Sequence, residues 1–253
     1  MRRDVLELRE FYAQPLGRAA RELLGRKVGE VWGDAAGMDV LGLGYATPFM
    51  DRFAAARRAV AAMPAAQGVE TWPARGRNKA ALVDEFSLPF PNSLFDRVLI
   101  VHGLEESDDP GAFLRETGRV LAASGRVIIV AASRNGLWSH AEKTPFGHGR
   151  PFTRRQLEQL VREADLEPVA WSQALYVPPW ANFASWAEGF EQIASRVWPG
   201  SAGLILLEAV KTTYAVKARP VRVRLASPIP GVFSPAPAPA PVGRVDRNGS
   251  GGD

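Results

Sequence analysis

The chain has 253 residues, 46% of them apolar and 23% charged, with a formal net charge of +4. That length suits one α/β domain with appendages, and that composition can bury a core without covalent staples. With no cysteine and only three histidines, a disulfide framework, a thiolate zinc site and a cysteine nucleophile are excluded, and no metal site is expected.

The start, Met1-Arg2-Arg3-Asp4-Val5-Leu6-Glu7, is basic but lacks the apolar stretch of a secretory signal. The late apolar run Leu204 to Leu207 is far below the roughly 20 residues of a membrane span. A cytoplasmic protein that does not engage a membrane is the expectation. Residues 1–37 are expected to form an N-terminal helical cap. Val5, Leu8, Tyr12 and Leu16, then Ala20, Leu23 and Leu24, recur at helical spacing, and Pro15 divides the segment in two.

Residues 38–225 carry the pattern of an α/β domain. Met38 to Gly44 is a short strand entering a glycine turn. Met50 to Val60 is predicted helical, with Thr47 as its N-cap and Pro48 at its first position. Ala59 to Met63 is a competing strand that ends at Pro64. Further strands are predicted at Asn78–Asp84, Phe95–His102, Gly125–Val130, Val169–Val177 and Leu204–Thr213. Helices are predicted at Asp109–Leu121 and, with Thr153 as N-cap, at Thr153–Ala164. This alternation implies a doubly wound, mostly parallel, seven-stranded sheet with helices on both faces and an antiparallel finish.

Residues 226–253 change character. Six prolines lie between Pro228 and Pro241, and Gly-Ser-Gly-Gly-Asp follows. Such a composition builds no core and is expected to be a disordered tail. From Lys211 to Arg244 there are six basic residues and no acidic one. A charge-guarded strand edge explains them better than a nucleic-acid contact.

The centre of the chain carries a longer pattern. It runs from Asp84-Glu85-Phe86-Ser87-Leu88-Pro89-Phe90 through Phe95-Asp96-Arg97-Val98-Leu99-Ile100-Val101-His102-Gly103-Leu104-Glu105. It ends with Arg115-Glu116 and Arg119-Val120-Leu121. This stretch resembles the class I S-adenosylmethionine (SAM) methyltransferases of the type 11 group. The resemblance implies a Rossmann-like methyltransferase fold, SAM as cofactor, and a crevice at the carboxyl ends of the strands. It places Gly42, Gly44, Tyr45 and Thr47 on the cofactor loop, Asp84 and Glu85 at the adenine, and Val101 and Gly103 at the methionine end. His102 would sit beside the transferred methyl group as a base, and Asp96 reads as a structural turn residue.

The chain departs from that family at four positions. Gly42 stands where the family has the acid that holds the methionine amino group. Met63 stands where it has the acid that binds the ribose. Ala46 and Pro48 replace glycines. The loop from Ser133 to Pro151, with Arg134, Trp138, His140 and His148, is the candidate for acceptor binding. Seven aromatics between Trp171 and Trp198 suit a substrate lid, a dimer surface or plain core packing. The leading expectation is methyl transfer to a small-molecule acceptor. The rival is a catalytically inactive binding or regulatory module with a protein partner or a second copy of itself.

Overall fold

The computed structural model describes residues 3–180 and 202–212. Phe183, Trp186, Phe190 and Trp198, the late basic cluster beyond Lys211 and the proline segment lie outside the described residues.

Helix α1 spans Val5–Ala13 and α2 spans Pro15–Trp32. Asp4 caps α1 by accepting from the Leu6 amide, and Pro15 opens α2 at a position where its missing N–H costs nothing. The two pack tightly at their junction because Gly17 has no side chain: a Cβ there would run into the Phe11 carbonyl.

Strands β1 (Asp39–Gly44), β2 (Arg58–Pro64), β3 (Ala80–Val83), β4 (Phe95–Val101), β5 (Leu121–Ala132), β6 (Leu166–Ala174) and β7 (Leu204–Lys211) form one sheet in the order β3-β2-β1-β4-β5-β7-β6. The pairs β1–β2, β1–β4, β2–β3 and β4–β5 are parallel. Strand β7 is antiparallel to both β5 and β6. The predicted fold class therefore holds, antiparallel finish included.

Side chains alternate across the sheet. Val40, Leu99, Val101, Ile128 and Val130 face the layer that holds α1 and α2. Leu41, Leu43, Val98, Ile100, Val127 and Ile129 face the other layer. That second layer holds helices α4 (Pro110–Val120) and α5 (Arg154–Glu163), through Phe113, Leu114, Leu157 and Val161. Asp109 caps α4, and Thr153 with Gln156 makes a reciprocal capping box on α5.

One predicted element is overturned. The helix expected from Met50 to Val60 is a single turn, α3 (Thr47–Met50), followed by a short 3-10 turn at Asp51–Phe53. Its cap falls one residue earlier than expected, at Ala46. The competing strand wins because Asp39 to Leu43 pairs residue for residue with Arg58 to Ala62. Ladder bonds and burial on a central strand outweigh local helix propensity. Elsewhere the predicted boundaries move by a few residues. The third strand begins at Ala80 rather than Asn78, and the sixth spans 166–174 rather than 169–177.

Candidate functional site

Strand β1 lies between β2 and β4, so the chain crosses from one side of the sheet to the other there. The carboxyl ends of β1 and β4 flank the resulting crevice. Two halves of that crevice differ in kind.

The half beyond β2 and β3 is open. A cavity of about 990 Å³ is lined by Ala65, Ala66, Val83 to Phe86, Glu105 to Asp108 and Gly149 to Pro151. Asp84 is exposed, and its side chain accepts from the Phe86 amide. Glu85 is buried and accepts from the Ser107 hydroxyl at 2.8 Å.

The segment that carries these acids is clamped from behind. Arg119 donates to both oxygens of Glu116, to the Leu88 and Phe90 carbonyls and to Asn92. Glu116 accepts from the Leu88 amide at 2.6 Å. Hydrogen bonding to Arg119 holds the Glu116 carboxyl below its ordinary range. The clamp is thus the physical content of the Glu116…Arg119 spacing seen in the sequence.

The half at the ends of β1 and β4 is filled. Gly44 has φ +80°, and a Cβ on it would strike the Val101 carbonyl, which accepts from the Tyr45 amide at 2.8 Å. Gly42 points into the α1–α2 layer: a Cβ there would lie 2.7 Å from Met50 Sδ and 2.9 Å from Ala46 Cβ. Met50 and Met63 are fully buried. The positions that would carry the family's two acids are therefore packed with apolar atoms.

Helix α1 completes the seal. The Tyr12 hydroxyl and His102 Nε2 share a buried hydrogen bond of 2.8 Å. The Tyr12 ring stacks on Tyr45 at 6.0 Å and meets Phe49 edge-on at 5.7 Å. Phe146, from the long loop, lies 4.4 Å from the His102 ring. His102 itself sits in the left-handed region at φ +49°, and its carbonyl accepts from Gln67 Nε2 at 2.8 Å. The Val5 amide donates to the Gln67 carbonyl, and the Arg3 amide donates to Glu106. Arg3 also contacts His148. Burial drives the His102 pKa down to about 3, so the ring is neutral at ordinary pH. Burial also pushes the Tyr12 and Tyr45 hydroxyls well above their usual range.

The structure thus distributes the predicted residues. Asp84 and Glu85 line the open half. Gly42, Gly44, Tyr45, Val101, His102 and Gly103 lie at the sealed half. Thr47 donates to Glu70 at 2.9 Å, and Tyr45 also interacts with Glu70. Of the four loop candidates none lines the open cavity. Trp138 is buried and donates to the Val177 carbonyl at 2.7 Å, a core role. Arg134 and His140 are exposed, and the loop contributes Gly149 to Pro151 instead. Asp96 accepts from the Asp39 amide, as a structural residue should.

Sequence reasoning missed Tyr12 as a site residue, because an apolar helical stripe says nothing about which end of a sheet it covers. It also missed Gln67, Glu70 and Glu105. Glu105 is buried, accepts from the Ala132 amide with Oε1, and leaves Oε2 without a partner. Its pKa is pushed up to about 7 by burial. Among the described residues no cluster of three or more metal-ligating side chains is present, and no helix is long and apolar enough to cross a membrane.

Residues 39–129 match the family described as the methyltransferase domain. The strand order and this match agree. Residues 39–129 are thus similar to methyltransferase domains, and the sheet has the fold of the class I methyltransferases. The superfamily uses SAM. Among curated relatives, demethylmenaquinone methyltransferase of Mycolicibacterium paratuberculosis is 30% identical over 135 residues, covering 50% of this chain and 54% of its own length. Ajmaline N-methyltransferase of Rauvolfia serpentina is 30% identical over 109 residues, covering 43% and 33%. The chain thus spans about a third to a half of the relatives it matches. Two solved structures share the fold. A SAM-dependent methyltransferase of Thermotoga maritima has TM-score 0.56 at 18% identity, covering 82% of this chain and 96% of its own. The cyclase SpnF has TM-score 0.52 at 20% identity, covering 75% and 80%.

A whole SAM molecule, the cofactor named with solved structures of this fold, would have to fit both halves of the crevice. The open half fits a nucleoside: it has room, carboxylate acceptors and a clamped wall. The sealed half does not fit the amino-acid arm. The space beside Gly42 is occupied by Met50 and Ala46, and the His102 and Val101 carbonyls each accept one hydrogen bond, from Gln67 and Tyr45. Lifting α1 would expose Val5, Leu8, Phe11 and Tyr12, all buried. At about 1.5–3 kcal/mol each, that costs roughly 6–12 kcal/mol, or more than about four decades of affinity.

Proposed function

We propose that this methyltransferase domain acts as a ligand-binding module whose transfer end is sealed, rather than as a methyl-transfer catalyst. One observation carries the reading: the space for the amino-acid arm is filled by Tyr12, Tyr45, Phe49 and Met50, all buried. A fold does not dictate a reaction. SpnF, a cyclase on the same fold, illustrates the point. A partner protein is compatible with such a role: a related structure from Haloferax volcanii is a complex with the Trm112 methyltransferase activator.

The second reading is SAM-dependent methyl transfer to a small molecule. The family match favours it, and so does Glu105, a carboxyl whose pKa of about 7 suits a general base. The two readings separate in one assay. The full chain is incubated with SAM labelled on its methyl group and a panel of small amines, phenols and carboxylates. The module reading expects no label above buffer in any acceptor. Turnover of even one acceptor, abolished by Asp84→Ala, establishes the second reading instead. Restoring the lost acids by Gly42→Asp and Met63→Asp alone is expected to fail, because Met50 and Ala46 occupy the space.

A further inference from the structure

We infer that a second cavity, between α2 and the turn that follows α3, binds the phosphate of a small phosphorylated ligand. It shares no lining residue with the open half of the crevice, and the inference stands whichever reading of the crevice is right.

The cavity has a volume of about 440 Å³ and is lined by Arg18, Arg21, Glu22, Pro48, Asp51 and Arg52. That is within the range of small-molecule sites. Arg18, Glu22 and Gly25 recur at helical spacing on one face of α2, with Arg21 beside them. The facing wall is the short turn Asp51–Phe53, anchored by the buried Phe53 ring.

The charges in this cavity do not cancel. Asp51 is committed: its Oδ1 accepts from Trp72 Nε1 at 3.1 Å, and its Oδ2 faces Arg21 at 3.6 Å. Arg18 donates to the Ala13 carbonyl and pairs with no acid. Arg52 makes no hydrogen bond or ion pair among the described residues. Arg18 and Arg52 are therefore left with Glu22 as the remaining acid. Guanidinium groups that line one cavity repel one another, and an anion held between them turns repulsion into attraction. Their planar forks match the oxygens of a phosphate. The Glu22 carboxylate can accept from a hydroxyl on the molecule that carries the phosphate.

Arg52 is also seated in advance. Gly25 is buried in the interior of α2, where glycine is less favourable than alanine. A Cβ there would lie 2.5 Å from Arg52 Nε, 2.7 Å from Nη2 and 2.9 Å from Cζ. The three nearest atoms all belong to one guanidinium, so the helix is notched for this side chain. A notch that lays down a cation with no acid beside it adds little to stability. It does hold a binding group in place before a ligand arrives, which lowers the cost of binding.

The test is calorimetric titration of the full chain with pyrophosphate at about 0.15 M salt, where loosely attracted ions are screened. The parent is expected to bind one pyrophosphate per chain. Arg52→Ala, at an exposed position, is expected to weaken binding at least about tenfold, through loss of a charge-assisted pair. Gly25→Ala should weaken it similarly while the urea midpoint holds or rises, because the methyl displaces only a side-chain end and favours the helix. Gly29→Ala is the control: its Cβ would sit 3.5 Å from Arg52, an ordinary contact, and affinity should not change. Co-sedimentation with phosphatidic acid vesicles, lost in Arg52→Ala, would make the source of the phosphate a lipid headgroup. Pyrophosphate binding without co-sedimentation makes it a soluble molecule. The inference is overturned if the parent binds no pyrophosphate at about 10 mM. It is equally overturned if Arg52→Ala binds as well as the parent, or if a folded Gly25→Ala keeps full affinity.

Discussion

The two halves of the crevice are built from the same strand ends yet obey opposite rules. The β2–β3 half is polar and roomy, and Arg119 with Glu116 braces the far part of the loop that carries Asp84 and Glu85. The β1–β4 half is a miniature core, in which Tyr12, Tyr45, Phe49, His102 and Phe146 close on one another. The contrast teaches that one set of strand ends can line an open cavity on one side and a packed apolar core on the other. Glycine at position 42 brings no charge that would have to stay solvated or paired, so apolar side chains pack against it.

If the β1–β4 half is core, substitutions there should act on stability. The largest effect is expected from Gly44→Val. A β-branched side chain would be forced into the left-handed region and against the Val101 carbonyl. A loss of more than about 4 kcal/mol is expected in urea unfolding. A well-folded Gly44→Val variant would show that this end is looser than a core.

Next comes Tyr12→Phe, which keeps the ring and removes the hydroxyl bonded to His102. Leaving the buried imidazole nitrogen unpaired is expected to cost about 1–3 kcal/mol. The urea midpoint should fall, and SAM affinity should not rise. A gain in SAM affinity with little change in midpoint would instead mark α1 as a gate over a working site.

The smallest effect sharpens the boundary between the halves, where Glu105 lies. Its folded-state pKa of about 7 is above the ordinary carboxyl value. The folded protein therefore keeps a proton that the unfolded chain releases from about pH 4.5 upward. That stabilisation is full below the unfolded value and is lost as pH rises through about 7, by no more than about 3 kcal/mol. Glu105→Gln retains an oxygen for the Ala132 amide and cannot ionise. Between pH 5 and pH 8, its stability relative to the parent should improve. Parallel pH profiles for the two proteins would show that Glu105 is paired or solvated in solution.

Much of this was legible beforehand, for local reasons. Branched apolar runs at Val98–Val101 and Val127–Val130 identify central strands. The Asp109-Pro110 and Thr153…Gln156 signals identify helix starts. The spacing of Glu116 and Arg119 pointed to the fold, and the structure shows it to be a clamp. What misled was also local. The Met50–Val60 stretch has good helix formers, yet pairing with β1 claimed Arg58 onward. Trp138, His140, Arg134 and His148 share one loop in sequence, yet only the fold decides that Trp138 turns into the core while Arg134 and His140 stay exposed.

The amino-acid string alone determined the architecture and the candidate crevice, through periodicity and capping; the resemblance to the family added that Gly42 and Met63 stand where acids are usual. Only the tertiary structure decided what surrounds those two positions. Helix α1 is 90 residues from His102 along the chain, and no spacing rule connects them. Their meeting depends on which sheet face and which strand ends the helix covers, and that is settled by burial of apolar surface over the whole layer rather than by any neighbouring residues.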